Sequence, residues 1–218
     1  MKIIITGATG LVGEGVLRVC LENPLVTDVV SISRKPLSFQ HAKLKELILS
    51  DFSTIDTHID ALKDFDACFF CAGVSSIGEN EESFTRKTYD FVVPFAQSLA
   101  NAIPTLTFIY VSGSGTDSTE QGKVMWARVK GKTENTVLNM PFKAAYCFRP
   151  SFMRPLKSQT NVRPIFRIID FLAPIWYLIL PNWICHMQEV GDAMLHCVDK
   201  GYEKPILEVP DIKKRARP

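Results

Sequence analysis

Apolar residues fall along this chain in two alternating rhythms. Short apolar-rich stretches at residues 3–5, 26–32, 44–49, 67–71, 106–111 and 144–148 predict six strands, the first a continuous β-branched run. Between them, apolar positions spaced for one helix face predict helices over 11–21, 53–63, 79–103 and 124–138. The first helix should stop near Asn23-Pro24. Pro94 lies inside the third and is expected to kink it. No internal repeat or low-complexity stretch interrupts this order. Regular alternation of strand and helix implies an α/β fold: a mostly parallel central sheet, right-handed crossovers, and helices on both faces. Such sheets bind ligands at the carboxyl ends of their strands, so the residues that follow each run carry the functional information.

After the first run comes Gly7-Ala8-Thr9-Gly10-Leu11-Val12-Gly13, with glycines at i, i+3 and i+6. The first glycine permits a tight turn out of the strand. The second lets a pyrophosphate approach the backbone, and the third lets the helix pack closely. The helix that opens at Leu11 presents free N–H groups and a positive dipole end to an anion. Strand, glycine turn and helix in this order point to a dinucleotide site.

The second strand ends Ser31-Ile32-Ser33-Arg34-Lys35-Pro36, without the acid that usually holds a ribose 2′-hydroxyl. Ser33 can hydrogen-bond a 2′-phosphate, and Arg34 with Lys35 can neutralise it, which favours NADP with NAD as second choice. An ordinary solvated basic turn is the competing reading. Asp51-Phe52 follows the third strand. The Asp51 carboxylate either accepts from the adenine amino group or caps the helix expected from Ser53.

Composition narrows the setting. The chain has 218 residues, is 46% hydrophobic and 22% charged, and has a formal net charge of +2, which excludes a disordered or collagen-like chain. The basic excess sits in the tail, at Lys213, Lys214, Arg215 and Arg217, expected to fray into solvent. A near-neutral body argues against a nucleic-acid-binding face. The six cysteines are irregularly spaced, no signal peptide is evident, and the chain reads as reduced, intracellular and cytoplasmic. Cys68 and Cys71 have redox-motif spacing. In a strand, residues three apart point to opposite faces, so both read as core cysteines. No histidine spacing resembles a zinc site, and no metal is expected. Residues 168–184 are strongly apolar but short for a membrane span. They are expected to form a lid and packing helix over the substrate, with a dimer face or peripheral membrane patch as the alternative.

The sequence resembles the short-chain dehydrogenase/reductase superfamily, in its atypical NAD-dependent epimerase/dehydratase branch with the Tat-interacting oxidoreductase-like proteins. The resemblance rests on the glycine turn, Asp51-Phe52, Cys71-Ala72-Gly73 after the fourth strand, Ser112 after the fifth, and Arg149-Pro150 after the sixth. It implies a doubly wound Rossmann fold, with a dinucleotide-binding domain over 1–155. Residues 156–218 would be a small C-terminal helical lobe, a lid or substrate pocket and not a separate domain. It also implies that Cys71, Ala72, Gly73, Arg149 and Pro150 border the cofactor. The family places a tyrosine and a lysine four residues apart on one helix face. Here Lys130 matches, but the tyrosine position holds Trp126. An indole donates a hydrogen bond but does not titrate near neutral pH. Ser112, or Ser114 two residues on, is then expected to hold a substrate oxygen. Lys130 is expected to bind the nicotinamide ribose, with the role of the acid as the alternative. The resulting expectation is an NADP(H)-dependent oxidoreductase acting on a carbonyl or alcohol, as a monomer or homodimer. The alternative, favoured by Trp126, is a non-catalytic NADPH-binding regulatory protein.

Overall fold

The computed structural model describes residues 1–162 and 182–217. In chain order these form β1 (Lys2–Thr6), α1 (Leu11–Glu22), β2 (Asp28–Ser33), β3 (Leu44–Ile48), a 3-10 segment (Phe52–Leu62), β4 (Ala67–Phe70) and α2 (Glu81–Ala102). Then come β5 (Thr107–Val111), α3 (Met125–Leu138), β6 (Ala144–Arg149), β7 (Phe152–Arg154), β8 (Ile184–His186), α4 (Met187–Lys200), β9 (Ile206–Glu208) and α5 (Val209–Ala216).

Seven strands make one sheet in the order β3-β2-β1-β4-β5-β6-β9, and every neighbouring pair is parallel. The chain starts in the middle, winds outward to β3, then returns across β1 to fill the other half. This is the doubly wound α/β architecture, and the crossing over leaves a crevice beyond the carboxyl ends of β1 and β4. The isoleucine run of β1 shows how two faces are served at once. Ile3 and Ile5 join a core with Val16, Leu17 and Val19 of α1 and Val190 and Met194 of α4. Ile4 joins the opposite core, with Phe95 and Leu99 of α2 and with Phe70 and Phe108. Side chains alternate across a strand, so only an unbroken apolar run satisfies both layers.

Three particulars depart from the pattern read in the sequence. The 53–63 stretch winds as a 3-10 helix rather than an α-helix, with its start capped by Asp51, whose carboxylate accepts from the Ser53 amide at 2.9 Å. The C-terminal stretch supplies a seventh strand: β9 pairs with β6 through Cys147↔Ile206, Phe148↔Leu207 and Arg149↔Glu208. The basic tail does not fray. Val209 and Ile212 are buried, Pro210 sits in the first turn, and α5 packs on α4. Its Lys213, Lys214 and Arg215 lie in the last turn, where cations offset the helix dipole. α2 runs as one helix through Pro94. Cys68 belongs to the core on the α2 face and Cys71 packs against the one on the α1 face, so the pair is split across the sheet. Most of the apolar segment 168–184 lies outside the described residues.

Candidate functional site

The turn from β1 into α1 depends on backbone shape. Gly7 has φ +73°, and a Cβ there would come within 2.6 Å of the Ala72 nitrogen. A Cβ on Gly13 would stand 2.2 Å from the Gly7 carbonyl oxygen. Both positions therefore demand glycine for local packing. Gly10 differs: its φ is −102°, and the nearest atom to a Cβ there is the Gly7 oxygen at 3.4 Å. Space at position 10 is open, facing the crevice rather than protein. Gly10 caps α1 without a side-chain hydrogen bond, and the Glu14 amide is the first to close onto it, at 2.9 Å. The amides of Leu11, Val12 and Gly13 are thus the first-turn donors that a helix leaves unmet.

Around this turn lies a cleft of about 350 Å³. It brings together Gly7, Thr9, Gly10, Ser33, Arg34, Phe52, Cys71, Ala72 and Gly73. The Ala72 amide donates to the Thr6 hydroxyl at 3.2 Å, tying the loop after β4 to the end of β1. Ser33 donates its own hydroxyl proton to the Lys35 carbonyl at 2.7 Å, so it offers the cleft only acceptor capacity. Arg34 is exposed and has no ion pair among the described residues. Lys35 and Asp51 do not border this cleft. Asp51 is exposed and serves the cap; hydrogen bonds from Ser53 hold its carboxyl below the usual carboxylate range. Val74, Arg86, Lys87 and Phe91 also line it, and sequence reasoning had not pointed to them. Lys87 is paired with Glu79 at 2.6 Å and Arg86 lies 3.7 Å from Glu82. A basic pair near the start of a long helix looks like any solvated face, so only the crossover of α2 reveals its place.

Val74 also borders a second cleft, of about 400 Å³. This one collects Ser112, Ser114, Trp126, Lys130, Pro150 and Trp183. The Lys130 ammonium donates to the Ser112 carbonyl. Burial pulls the Lys130 pKa down, against the opposing influence of the Glu134 charge. The Ser112 hydroxyl turns away from the cleft: it donates to the buried Glu134 carboxylate and lies 3.2 Å from the Phe148 carbonyl. Ser114 keeps its hydroxyl free of hydrogen bonds among the described residues, while its amide donates to the Pro150 carbonyl at 3.0 Å. The Trp126 ring reaches within 3.2 Å of where a side chain on Gly115 would begin, and Gly115 has φ +84°.

Arg149, expected beside the cofactor, does not line either cleft. Its guanidinium is held by both oxygens of Glu134, with Nε to Oε1 at 3.0 Å, and by Glu208 at 3.2 Å and the Ser118 hydroxyl. Arginine takes this place because the fully buried Glu134 carboxylate needs a paired, forked donor. No signal in the sequence links position 134 to 149, since β6 reaches α3 only in the folded sheet.

Residues 3–124 match the model of the NAD dependent epimerase/dehydratase family. The chain is 28% identical to the rat Protein HTATIP2 over 70% of this chain and 62% of that one, so it spans less than two thirds of that relative's length. It is 31% identical to Leucinostatins biosynthesis cluster protein T of Purpureocillium lilacinum, covering 89% and 83% respectively. It is 25% identical to a mitochondrial Fmp52 protein of Emericella nidulans, covering 79% and 74%. Among solved structures it is similar in fold to MoeE5 in complex with UDP-glucose and NAD, at TM-score 0.66 and 14% identity over 97% of this chain and 79% of that one. It is also similar to UDP-glucuronic acid 4-epimerase from Bacillus cereus in complex with NAD, at TM-score 0.65 and 14% identity over 95% and 77%.

Proposed function

The chain belongs to the NAD dependent epimerase/dehydratase family, and from that premise we propose that it is an oxidoreductase that binds NADP(H) and interconverts a carbonyl and an alcohol. The observation that carries this reading is the meeting of two clefts at Val74, one shaped for a diphosphate and one holding Lys130 with a free serine hydroxyl.

The first cleft fits a pyridine dinucleotide on its own geometry. Gly10 leaves open space where a Cβ would stand, and the amides of Leu11, Val12 and Gly13 supply donors toward it. Those amides would hold the diphosphate. Arg34 would neutralise a 2′-phosphate, with Ser33 beside it, and no acid at the end of β2 competes for a 2′-hydroxyl. Phe52 would pack on the adenine end, and Cys71, Ala72 and Gly73 would border the ribose and diphosphate. When bound, the group supplies hydride-transfer chemistry. The chain's own residues then position the substrate. Ser114, rather than Ser112, offers the hydroxyl that orients its oxygen, and Lys130 contacts the nicotinamide ribose. Trp126 walls the cleft with an apolar ring and adds one fixed N–H donor. The substrate-pocket role of residues 156–218, a small-molecule substrate, a monomeric or homodimeric state and a cytoplasmic setting belong to the same proposal. No helix among the described residues is long and apolar enough to cross a membrane.

Trp126 favours a second reading, in which NADPH binds and no turnover follows. One experiment separates them: NADPH binding by fluorescence, followed by NADPH oxidation against a panel of aldehydes, ketones and quinones. Binding with turnover supports the enzyme; tight binding with none on the panel supports the regulatory protein; no binding removes both.

A further inference from the structure

Resting on the reading above, we propose that Lys130 is the proton donor of the second cleft, the part that a phenol at position 126 would otherwise play. Three observations place it there. First, Lys130 is the sole titratable side chain among the described residues that line this cleft; its neighbours are serines, glycine, proline, valine and aromatic rings. Second, the ammonium is anchored without being used up. One of its three donors goes to the Ser112 carbonyl, which holds Nζ at the mouth of the β5 loop, 3.8 Å from where a side chain on Gly113 would begin. The others remain for a ligand oxygen. Third, Lys130 forms no ion pair among the described residues. The carboxylate that acts on its charge, Glu134 one turn along α3, is committed to Arg149 of β6 and to the Ser112 hydroxyl. Arg149 in turn shares its charge with Glu208 of β9. The loop after β4 and the start of α2 bring Val74, Ser75, Ser76 and Phe84 to the cleft, none of which ionises near neutrality. A half-buried amine beside an already neutralised ion pair gives up its proton more readily than an exposed lysine, in keeping with the lowered pKa of this group.

The step assigned to this chain is one proton. In the reducing direction an Nζ–H bond breaks and an O–H bond forms on the substrate oxygen, as the carbonyl carbon takes the electron pair and hydrogen from the reduced dinucleotide. The neutral amine regains its proton from water. Oxidation runs the same transfer backward.

The test uses the full chain with lysine Cε isotopically labelled and read by NMR across pH, the Lys130 signal being identified by its loss in Lys130→Arg. The expected inflection lies below that of the exposed lysines, because burial disfavours the charged ammonium. The rate of NADPH oxidation with 4-nitrobenzaldehyde and phenanthrenequinone should fall on the alkaline side at that same inflection, because the donor form disappears. Lys130→Arg, which stays protonated, should lose about 100-fold in kcat with KM for the carbonyl little changed. Three results overturn the assignment while NADPH still binds: Lys130 titrating with the exposed lysines, Lys130→Arg keeping more than about a tenth of kcat, or no turnover of either probe. Failure of both dinucleotides to bind is a different result, and it takes down the underlying reading together with this one.

Discussion

The two clefts that meet at Val74 are made of different material. The cleft at the β1–α1 turn is mostly backbone: a left-handed glycine at position 7, bare space at position 10, and the open first turn of α1. The neighbouring cleft is mostly side chain: Ser114, Trp126 and Lys130, with a buried Glu134–Arg149 pair behind them. Backbone shape tolerates wide change in sequence so long as a few glycines stay. Side-chain chemistry turns on single identities. The second cleft carries the indole of Trp126 where the family resemblance leads one to expect a phenol.

Substitution at the open glycine is the largest expected way to break this contrast. Gly10→Leu should leave the melting temperature nearly unchanged, since its φ suits any residue, yet weaken NADPH by about 100-fold or more, roughly 2.7 kcal/mol, by titration calorimetry. Unchanged affinity would remove the diphosphate from this turn. Next in size, Trp126→Tyr should raise carbonyl-dependent NADPH oxidation by about 10- to 100-fold, as a phenol takes over the proton donation that Lys130 otherwise supplies. Steady-state rates that stay flat would show that proton supply does not limit this cleft.

Arg34→Ala should weaken NADPH by about tenfold and NADH by less than about twofold, measured side by side, because only the former carries a 2′-phosphate for the guanidinium. Equal losses would undo the preference for NADP. Ser112→Ala and Ser114→Ala split structure from chemistry. The first deprives Glu134 of a buried donor and should cost about 1–2 kcal/mol in denaturant unfolding. The second should leave stability alone and lower turnover. The smallest effect concerns Cys71, which lines the cleft at the β1–α1 turn but has a thiol that burial pushes up to about 12. It should resist alkylation by iodoacetamide near pH 8, and mass spectrometry showing rapid labelling would contradict that.

Much of this was legible along the chain because it is local. The alternation of apolar runs and helical spacings announced the layered α/β fold, and the spacing of Gly7, Gly10 and Gly13 announced the tight turn from β1 into α1, since each depends on residues within a few positions of one another. What stayed illegible crosses the sheet. Arg149 reads as a cofactor ligand until β6 is seen beside α3, where Glu134 claims its guanidinium. Ser112 reads as the substrate-holding hydroxyl until its side chain is seen pointing to that same carboxylate. Arg86 and Lys87 read as a solvated helix face until α2 crosses over the crevice.

The sequence alone determined which segments become strands and helices and where the chain turns tightly, because those choices follow from periodicity, β-branching and the freedom of glycine. Only the tertiary structure decided which charges are spent on each other and which are left for a ligand. Partners in a buried ion pair are chosen by distance in space, and the parallel crossovers bring together residues that the chain keeps far apart.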